Sequence, residues 1–447
     1  MKSERMAPVK QRELPLEIPE GESSTGELLE TNSDDYSNLM KRVLEPENLQ
    51  RAYLQVRRNQ GAPGIDGMTV EELPDYLKTH WKAVIRVSLE EGRYWPRPVK
   101  RVEIPKPDGR KRKLGIPTVL DRLIQQALAQ VLQEEWEPVF HERSYGFRPN
   151  RNAHQAVRYA QESIQAGYGW IVDGDLDSFF DRVNHDLLMW KLKQRIADAN
   201  VLRLINRFLK AGIQIDGKRH ASTEGVPQGG PLSPVLSNIL LNELDWELEK
   251  RGHRFVRYAD DFMVFTKSRT AGGRIKENLQ RFIERTLRLK VNADKSGVDK
   301  PWNRTFLGFT FSRRRGNKIK VSDKALRKLK ATTKDMSRRM RGHSLNQIVS
   351  ELRITLLGWK AYFSLAEVLS PLRDVDKWIR RRLRCYLWKQ WGRAGYRQLR
   401  RRGVSQTLAW NTSKSAHGSW RLSISPALYQ ALPNSYFTGL GLPKLAV

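Results

Sequence analysis

The chain has 447 residues, with 80 Lys and Arg against 49 Asp and Glu, a net charge of +31 and a pI near 10.3. That length allows about two to four domains, and so large a basic excess calls for a polyanionic partner, nucleic acid first and an anionic membrane second. No run reaches the roughly 18 apolar residues of a membrane span, the N-terminus has no apolar signal-peptide core, and the single Cys385 excludes an internal disulfide framework and any Cys-based zinc cluster. A cytoplasmic protein is expected, with Cys385 a small buried apolar residue on a helix.

Residues 1–36 are acidic and polar without periodicity and read as a disordered tail. From Tyr36 to Asn59 the spacing of Leu39, Val43, Leu49, Tyr53 and Val56 predicts a helix. Asn59–Gly67 follows, with three glycines and a proline in nine residues, so it is a structured loop. Arg97–Pro105 alternates charge with Val and Ile and reads as an exposed strand. Lys106–Lys113 supplies a turn and a second strand. A hairpin this basic suits triphosphate or template contacts, though a solvated basic turn has the same composition. Residues 119–136 form an amphipathic helix. Arg143–Pro149 is an aromatic-arginine loop, after which Asn150 or Asn152 caps a helix starting near Ala153.

Trp170–Phe180 is a strand that runs into an Asp-rich end, before a helix near Asp186. It puts a carboxylate, Asp175, at a strand terminus, where ligands converge in α/β sheets. Gly225–Pro234 is a Gly/Pro loop ahead of the helix Val235–Lys250. It lacks the Gly-Lys-Ser/Thr end of a P-loop, and Gln228 among such small residues suits close approach of a flat or phosphate-bearing ligand. In Arg254–Phe265 two aromatic and β-branched runs flank Ala259-Asp260-Asp261. This reads as a hairpin with a tight turn bearing two carboxylates. A helix over 271–289 leads to Leu289–Lys295 and Phe306–Phe309.

Beyond residue 312 the composition turns basic and helical, with a helix over 344–366. Residues 373–402 carry twelve basic and two acidic side chains interleaved with Trp378, Tyr386, Trp388 and Trp391. The aromatics are expected largely in the core, and the arginine excess on a nucleic-acid backbone. Residues 404–447 read as mixed loop and short elements.

Adjacent carboxylates repel, and a cation relieves the repulsion. Mg²⁺ typically takes one or two protein carboxylates together with substrate phosphates. Two strands adjacent in a sheet would bring Asp175 beside Asp260. Such a pair describes phosphoryl transfer to a growing strand with two Mg²⁺ ions.

The ordered motifs resemble those of group II intron-encoded reverse transcriptases and maturases of the bacterial type, from about residue 50 to residue 400. Asn59–Gly67 resembles the motif before the fingers, and Arg101–Arg122 and Pro138–Val157 resemble the two fingers motifs. Asp173–Asp181 is similar to the palm strand with the first catalytic Asp. Gly225–Leu240 is similar to the glycine-rich motif, and Tyr258-Ala259-Asp260-Asp261 to the central tetrapeptide. Leu289–Lys295 and Phe306–Phe309 resemble the last palm motifs, the second being the primer grip. Gly358–Phe363 resembles the thumb signature.

The resemblance implies an α+β right-hand polymerase. Fingers and palm would span 37–312, a helical thumb or maturase domain 313–403, and a basic, DNA-binding segment 404–447. It implies RNA-directed DNA synthesis, with catalysis and metal ligation by Asp175, Asp260 and Asp261 and a further metal ligand from the Leu176 carbonyl. Lys106, Arg112, Gln228 and Lys295 match nucleotide-binding positions, and Phe180 matches the ring that blocks a ribose 2′-hydroxyl. Implied partners are group II intron RNA, an RNA template with a DNA or RNA primer, dNTPs and target DNA, with roles in splicing and retrohoming. Many members also carry a Cys- and His-containing DNA endonuclease domain, for which this chain leaves no room, so mobility is expected to use nicked or replicating DNA as primer. A domesticated or defence-associated reverse transcriptase without its own intron, or a non-catalytic RNA-binding splicing cofactor, would share parts of this pattern.

Overall fold

In the computed structural model the residues described are 38–105, 109, 111–292, 296–314, 316–338 and 342–446, so the expected N-terminal tail lies outside them. The chain divides into two compact units. The first comprises the described part of Met1–Ala156 together with Val172–Val298; the second comprises Val157–Ile171 and Asp299–Val447.

The first unit is built on two four-stranded sheets. One contains β1 (Val99–Pro105), β2 (Lys111–Ile116), β4 (Ile213–Ile215) and β5 (Lys218–His220) in the order β2-β1-β4-β5. β1 and β2 form the expected basic hairpin, antiparallel from Lys100↔Ile116 to Pro105↔Lys111. The other sheet contains β3 (Trp170–Asp175), β6 (Arg254–Tyr258), β7 (Asp261–Thr266) and β8 (Gly297–Asp299) in the order β6-β7-β3-β8. β3 and β7, distant in sequence, are therefore neighbours, as the carboxylate argument requires.

An apolar core joins the sheet of β3, β6 and β7 to the helices of this unit. The helix Val119–Trp136 has the predicted limits, and its Leu123, Ala127, Leu128 and Leu132 are fully buried. Thr118 caps it by accepting from the Asp121 amide, which satisfies one of the four unpaired donors of a helix start. The helix predicted over Tyr36–Asn59 is instead two, Leu39–Val43 and Pro46–Asn59. Pro46 cannot continue a helix but suits its first turn, so the break falls immediately before it. Periodicity also missed the helix Ala199–Leu209, which Asp198 caps while accepting from the Met40 amide.

In the second unit β9 (Phe309–Phe311) pairs with β10 (Ile319–Val321), and the helices Asp323–Met336, Leu345–Phe363 and Ser370–Trp391 follow. The compact grouping changes at Val298/Asp299, whereas composition changes at 312, and the grouping also claims Val157–Ile171. Side-chain bonds explain the claim: Gln161 donates to the Glu367 carboxylate at 2.6 Å and Gln165 to the Gly316 carbonyl at 2.8 Å. Of the two capping candidates, Asn152 is used. Its side chain accepts from the Gln155 amide while Gln155 accepts from the Asn152 amide, a reciprocal box.

Residues 404–446 fold as short helices held to Ser370–Trp391. Arg384 donates to the Leu432 carbonyl and to Asn434 Oδ1, both at 2.8 Å, and Asp376 accepts from the Leu445 and Ala446 amides. Arg380 and Arg384 are thus buried structural residues, and the basic surface is left to side chains such as Arg373, Lys389, Arg397 and Arg401. Cys385 is buried on this helix and Tyr386 is in the core. No described helix is long and apolar enough to cross a membrane.

Candidate active site

The central hairpin is tighter than the sequence suggests. Tyr258 pairs with Asp261, so the loop is only Ala259-Asp260, and Asp261 is the first residue of β7. Two-residue hairpin loops match strand twist when a central residue has positive φ. Ala259 takes that role with φ 57°, at a cost of about 1–2 kcal/mol for a residue with a Cβ. Strain of this kind persists only where the surroundings over-determine it, and here they do. The loop Arg143–Pro149 runs beside β6, with the Tyr145 amide donating to the Arg257 carbonyl and the Arg257 amide to the Arg143 carbonyl, both at 2.9 Å. Gly146 faces the turn so closely that a Cβ there would lie 2.4 Å from the Ala259 nitrogen.

On β3 the end carrying Asp175 is fixed from the other side. Its amide donates to Ser296 Oγ at 3.0 Å, its carbonyl accepts from the Asn292 amide at 2.9 Å, and Leu176 bridges to Val291. Gly174 permits this packing, because the Phe262 ring occupies the place of its missing Cβ, 2.1 Å away. Asp175 and Asp260 then line one cleft of ≈450 Å³ together with Leu176, Phe180, Arg112, Gln228 and Asn292. Asp261 is half-buried on β7 and does not line this cleft.

The charge balance fits a cation-binding pair. Burial chiefly, and Asp175 in addition, push the Asp260 carboxyl above its ordinary value, while Arg112 and Arg257 pull it back. A carboxylate raised by a like neighbour is one that a cation would return to its ionised form. Among the described residues no cluster of three or more His, Cys, Asp or Glu forms a closed metal cage. Mg²⁺ sites completed by substrate phosphates need no such cage.

The nucleotide-binding candidates meet around the same cleft. Arg112 Nε donates to Gln228 Oε1 at 3.0 Å, joining β2 to the glycine-rich loop. That loop lies against β2 through the Gly115 amide and the Gln228 carbonyl at 2.8 Å. Gly229, with φ 126°, sits where a Cβ would meet the Gly115 oxygen at 2.6 Å, so only glycine fits. The Val226 amide donates to the Phe180 carbonyl at 2.6 Å. The half-buried Phe180 ring packs edge-to-face on Phe179, with centroids 5.1 Å apart. Lys106 and Lys295 lie outside the described residues.

Lys111 and Lys113 of the basic hairpin and Asn292 of the Leu289–Lys295 motif, none of them singled out as site residues, also line the cleft, and sequence reading passed over the Asp245–Arg257 ion pair beneath the hairpin. The signal for the pair was available: Arg257 is a charge inside a strand whose Phe255 and Val256 are core residues. Phe306–Phe309, the stretch that resembles the primer grip, lies in the second unit as a tight turn in which Phe306 and Phe309 exchange backbone bonds at 2.9 and 2.8 Å, with Leu307 and Gly308 at positive φ.

Comparison with known proteins agrees with this geometry. The reverse transcriptase (RNA-dependent DNA polymerase) family matches residues 104–311, and the group II intron maturase-specific domain matches residues 326–404. Protein YkfC of Escherichia coli K12 is 35% identical over 300 residues, covering 58% of this chain and 78% of that protein. The group II intron-encoded protein LtrA of Lactococcus lactis subsp. cremoris is 31% identical over 355 residues, 65% of this chain and 59% of LtrA, so the chain spans about three-fifths of that relative. A solved telomerase from Candida albicans, in complex with a fragment of telomeric RNA, is 17% identical with a TM-score of 0.41, over 66% of this chain and 61% of that one. With a palm that pairs Asp175 and Asp260, a basic hairpin above them and a maturase-specific domain downstream, the chain belongs to the reverse transcriptases of the group II intron-encoded, bacterial type.

Proposed function

We propose that the chain copies RNA into DNA by nucleotidyl transfer and binds its own group II intron RNA to assist splicing and mobility. The observation that carries the catalytic half is the convergence of Asp175 and Asp260, from neighbouring strands, in one cleft with Arg112, Phe180 and Gln228. Asp175 and Asp260 would hold Mg²⁺, with Asp261 beside them and the Leu176 carbonyl within the same cleft wall. A pair of such ions supplies activation of the attacking 3′-hydroxyl and neutralisation of the leaving pyrophosphate. Arg112, oriented by Gln228, offers a planar donor fork to the triphosphate of a dNTP. Phe180 closes the sugar side of the cleft, so a 2′-hydroxyl meets the ring by overlap.

The maturase half rests on the maturase-specific domain at residues 326–404 and its exposed arginines, which suit a polyphosphate surface. Template, primer and target DNA are the other partners in this reading, and the cytoplasm of a bacterial cell, where intron transcripts are made, is its compartment. Primer extension on an RNA template with dNTPs and Mg²⁺ tests it. Wild type should extend, and Asp260→Asn should abolish extension while leaving intron RNA binding intact. Absence of extension by the wild type would remove the enzymatic claim, and loss of RNA binding in Asp260→Asn would show that the site is misassigned.

A further inference from the structure

Arg257 is the largest fully buried side chain beneath the hairpin, and it makes four hydrogen bonds there. Nε and Nη2 reach the two oxygens of Asp245, at 2.7 and 2.5 Å. Nη1 donates to Asn238 Oδ1 at 3.0 Å and to the Ala259 carbonyl at 2.9 Å. Asn238 in turn donates to the Gly146 carbonyl at 2.8 Å. Asp245 and Asn238 both lie on the helix Ser233–Lys250 and are fully buried.

Burying an ion pair costs several kcal/mol per charge before the pair's attraction offsets it, and apolar side chains of similar volume often fill such a space as well or better. Stability alone therefore gives little reason for a full charge pair at this position. What the pair adds is directional. One guanidinium, planar and held along its Nε–Nη2 edge by Asp245, presents a fixed N–H to the carbonyl that precedes Asp260. Ala259 itself is strained at φ 57°, so its peptide has a lower-energy alternative that this bond opposes. The bond from Asn238 to Gly146 extends the same lock to the loop beside the turn.

We propose that Arg257 is a positioning residue: with Asp245 and Asn238 it fixes the Ala259 peptide, and so aims the Asp260 carboxylate at the metal and primer terminus. This rests on the polymerase reading above. Residues acting this way change the placement of a reacting group without touching it, and a misplacement near 1 Å costs on the order of 100-fold in rate.

Two variants separate this role from simple packing. Arg257→Met combined with Asp245→Leu removes both charges together and leaves no unpaired buried ion. Arg257→Lys keeps the charge but has no planar fork to serve Asp245 and Ala259 at once. Both are measured as full-length protein by thermal melting, by single-nucleotide primer extension, and by Mn²⁺ titration followed by electron paramagnetic resonance. The expected result is a cooperative melt, a KM for dNTP within about twofold of wild type, a kcat lower by about 10- to 100-fold, and weaker Mn²⁺ binding. A wild-type kcat or a wild-type Mn²⁺ affinity in either folded variant overturns the proposal. If the wild type itself fails to extend primers, the polymerase reading falls, and the Mn²⁺ comparison alone decides whether the lock sets the carboxylate.

Discussion

Gly146→Ala adds one methyl group at a position far in sequence from Asp260, and it should be among the most damaging small substitutions in the chain. A Cβ at Gly146 would lie 2.4 Å from the Ala259 nitrogen, 3.0 Å from the Tyr258 carbonyl carbon and 3.2 Å from the Ala259 Cα. Ordinary contact begins at 3.4 Å, so the loop and the turn must separate by about 1 Å. All three neighbours are backbone, so no side chain can rotate away. Neither partner yields easily: the loop is bonded to β6 at Arg143 and Tyr145, and the turn is bonded to Arg257. Overpacking of this kind costs about 1–3 kcal/mol of stability. The displacement of Asp260 should lower kcat on the order of 100-fold, with a smaller change in KM for dNTP. Gly273→Ala is the matched control. It lies on the helix Arg269–Arg285 with nothing within 4 Å of an added Cβ, so it should leave extension unchanged and stabilise by about 0.5–1 kcal/mol. Primer extension with a thermal melt on each variant checks the argument. A Gly146→Ala protein that extends and melts like wild type would refute the close packing of this loop on the hairpin.

Phe180→Ala should admit ribonucleotides, lowering the dNTP-over-rNTP ratio of kcat/KM by roughly 10- to 100-fold; unchanged discrimination would remove the ring from the sugar side of the cleft. Asp121 is buried and accepts from Thr118, Tyr94 and the Arg97 amide. Burial, with a lesser push from Asp66, raises its carboxyl from 3.8 to about 6 against those bonds. The folded chain therefore binds this proton more tightly than the unfolded chain. The Asp121 contribution to stability should fall by about 3 kcal/mol as pH rises through that window. Asp121→Asn lacks the titration, so urea melts at pH 4 and pH 7 should show the variant gaining on wild type by up to that amount; a pH-independent difference would contradict the burial argument. RNA affinity should fall steeply between low and moderate salt, and a flat salt response in filter binding would deny the phosphate contacts of the basic surface.

The limits of the helix Val119–Trp136, the basic β1–β2 hairpin and the central hairpin strands were all legible in the chain. Each depends on local patterning: apolar period, turn residues and caps. Other features were not. Pro46 breaks a helix whose apolar spacing continues across it. Arg384 sits in a basic run but points inward, because its partners Leu432 and Asn434 are brought to it by the fold. The one-residue difference in the turn of the central hairpin has the same origin. Ala-Asp-Asp is compatible with several loops, and strand register chose the two-residue form that puts Asp261 on β7.

Sequence by itself determined the family of this protein, since residue type and motif order already specify paired carboxylates, an aromatic ring after the first of them and a basic surface. Tertiary structure decided which carboxylates share a cleft and what aims them. Asp175 and Asp260 meet only because β3 and β7 are paired in one sheet, and Asp260 is aimed by a guanidinium buried beneath it. The strand pairing is a long-range contact, and Arg257, though it bonds the nearby Ala259 carbonyl, is oriented by Asp245 and Asn238 on the preceding helix; no local pattern in a chain encodes the distance between residues that folding alone brings together.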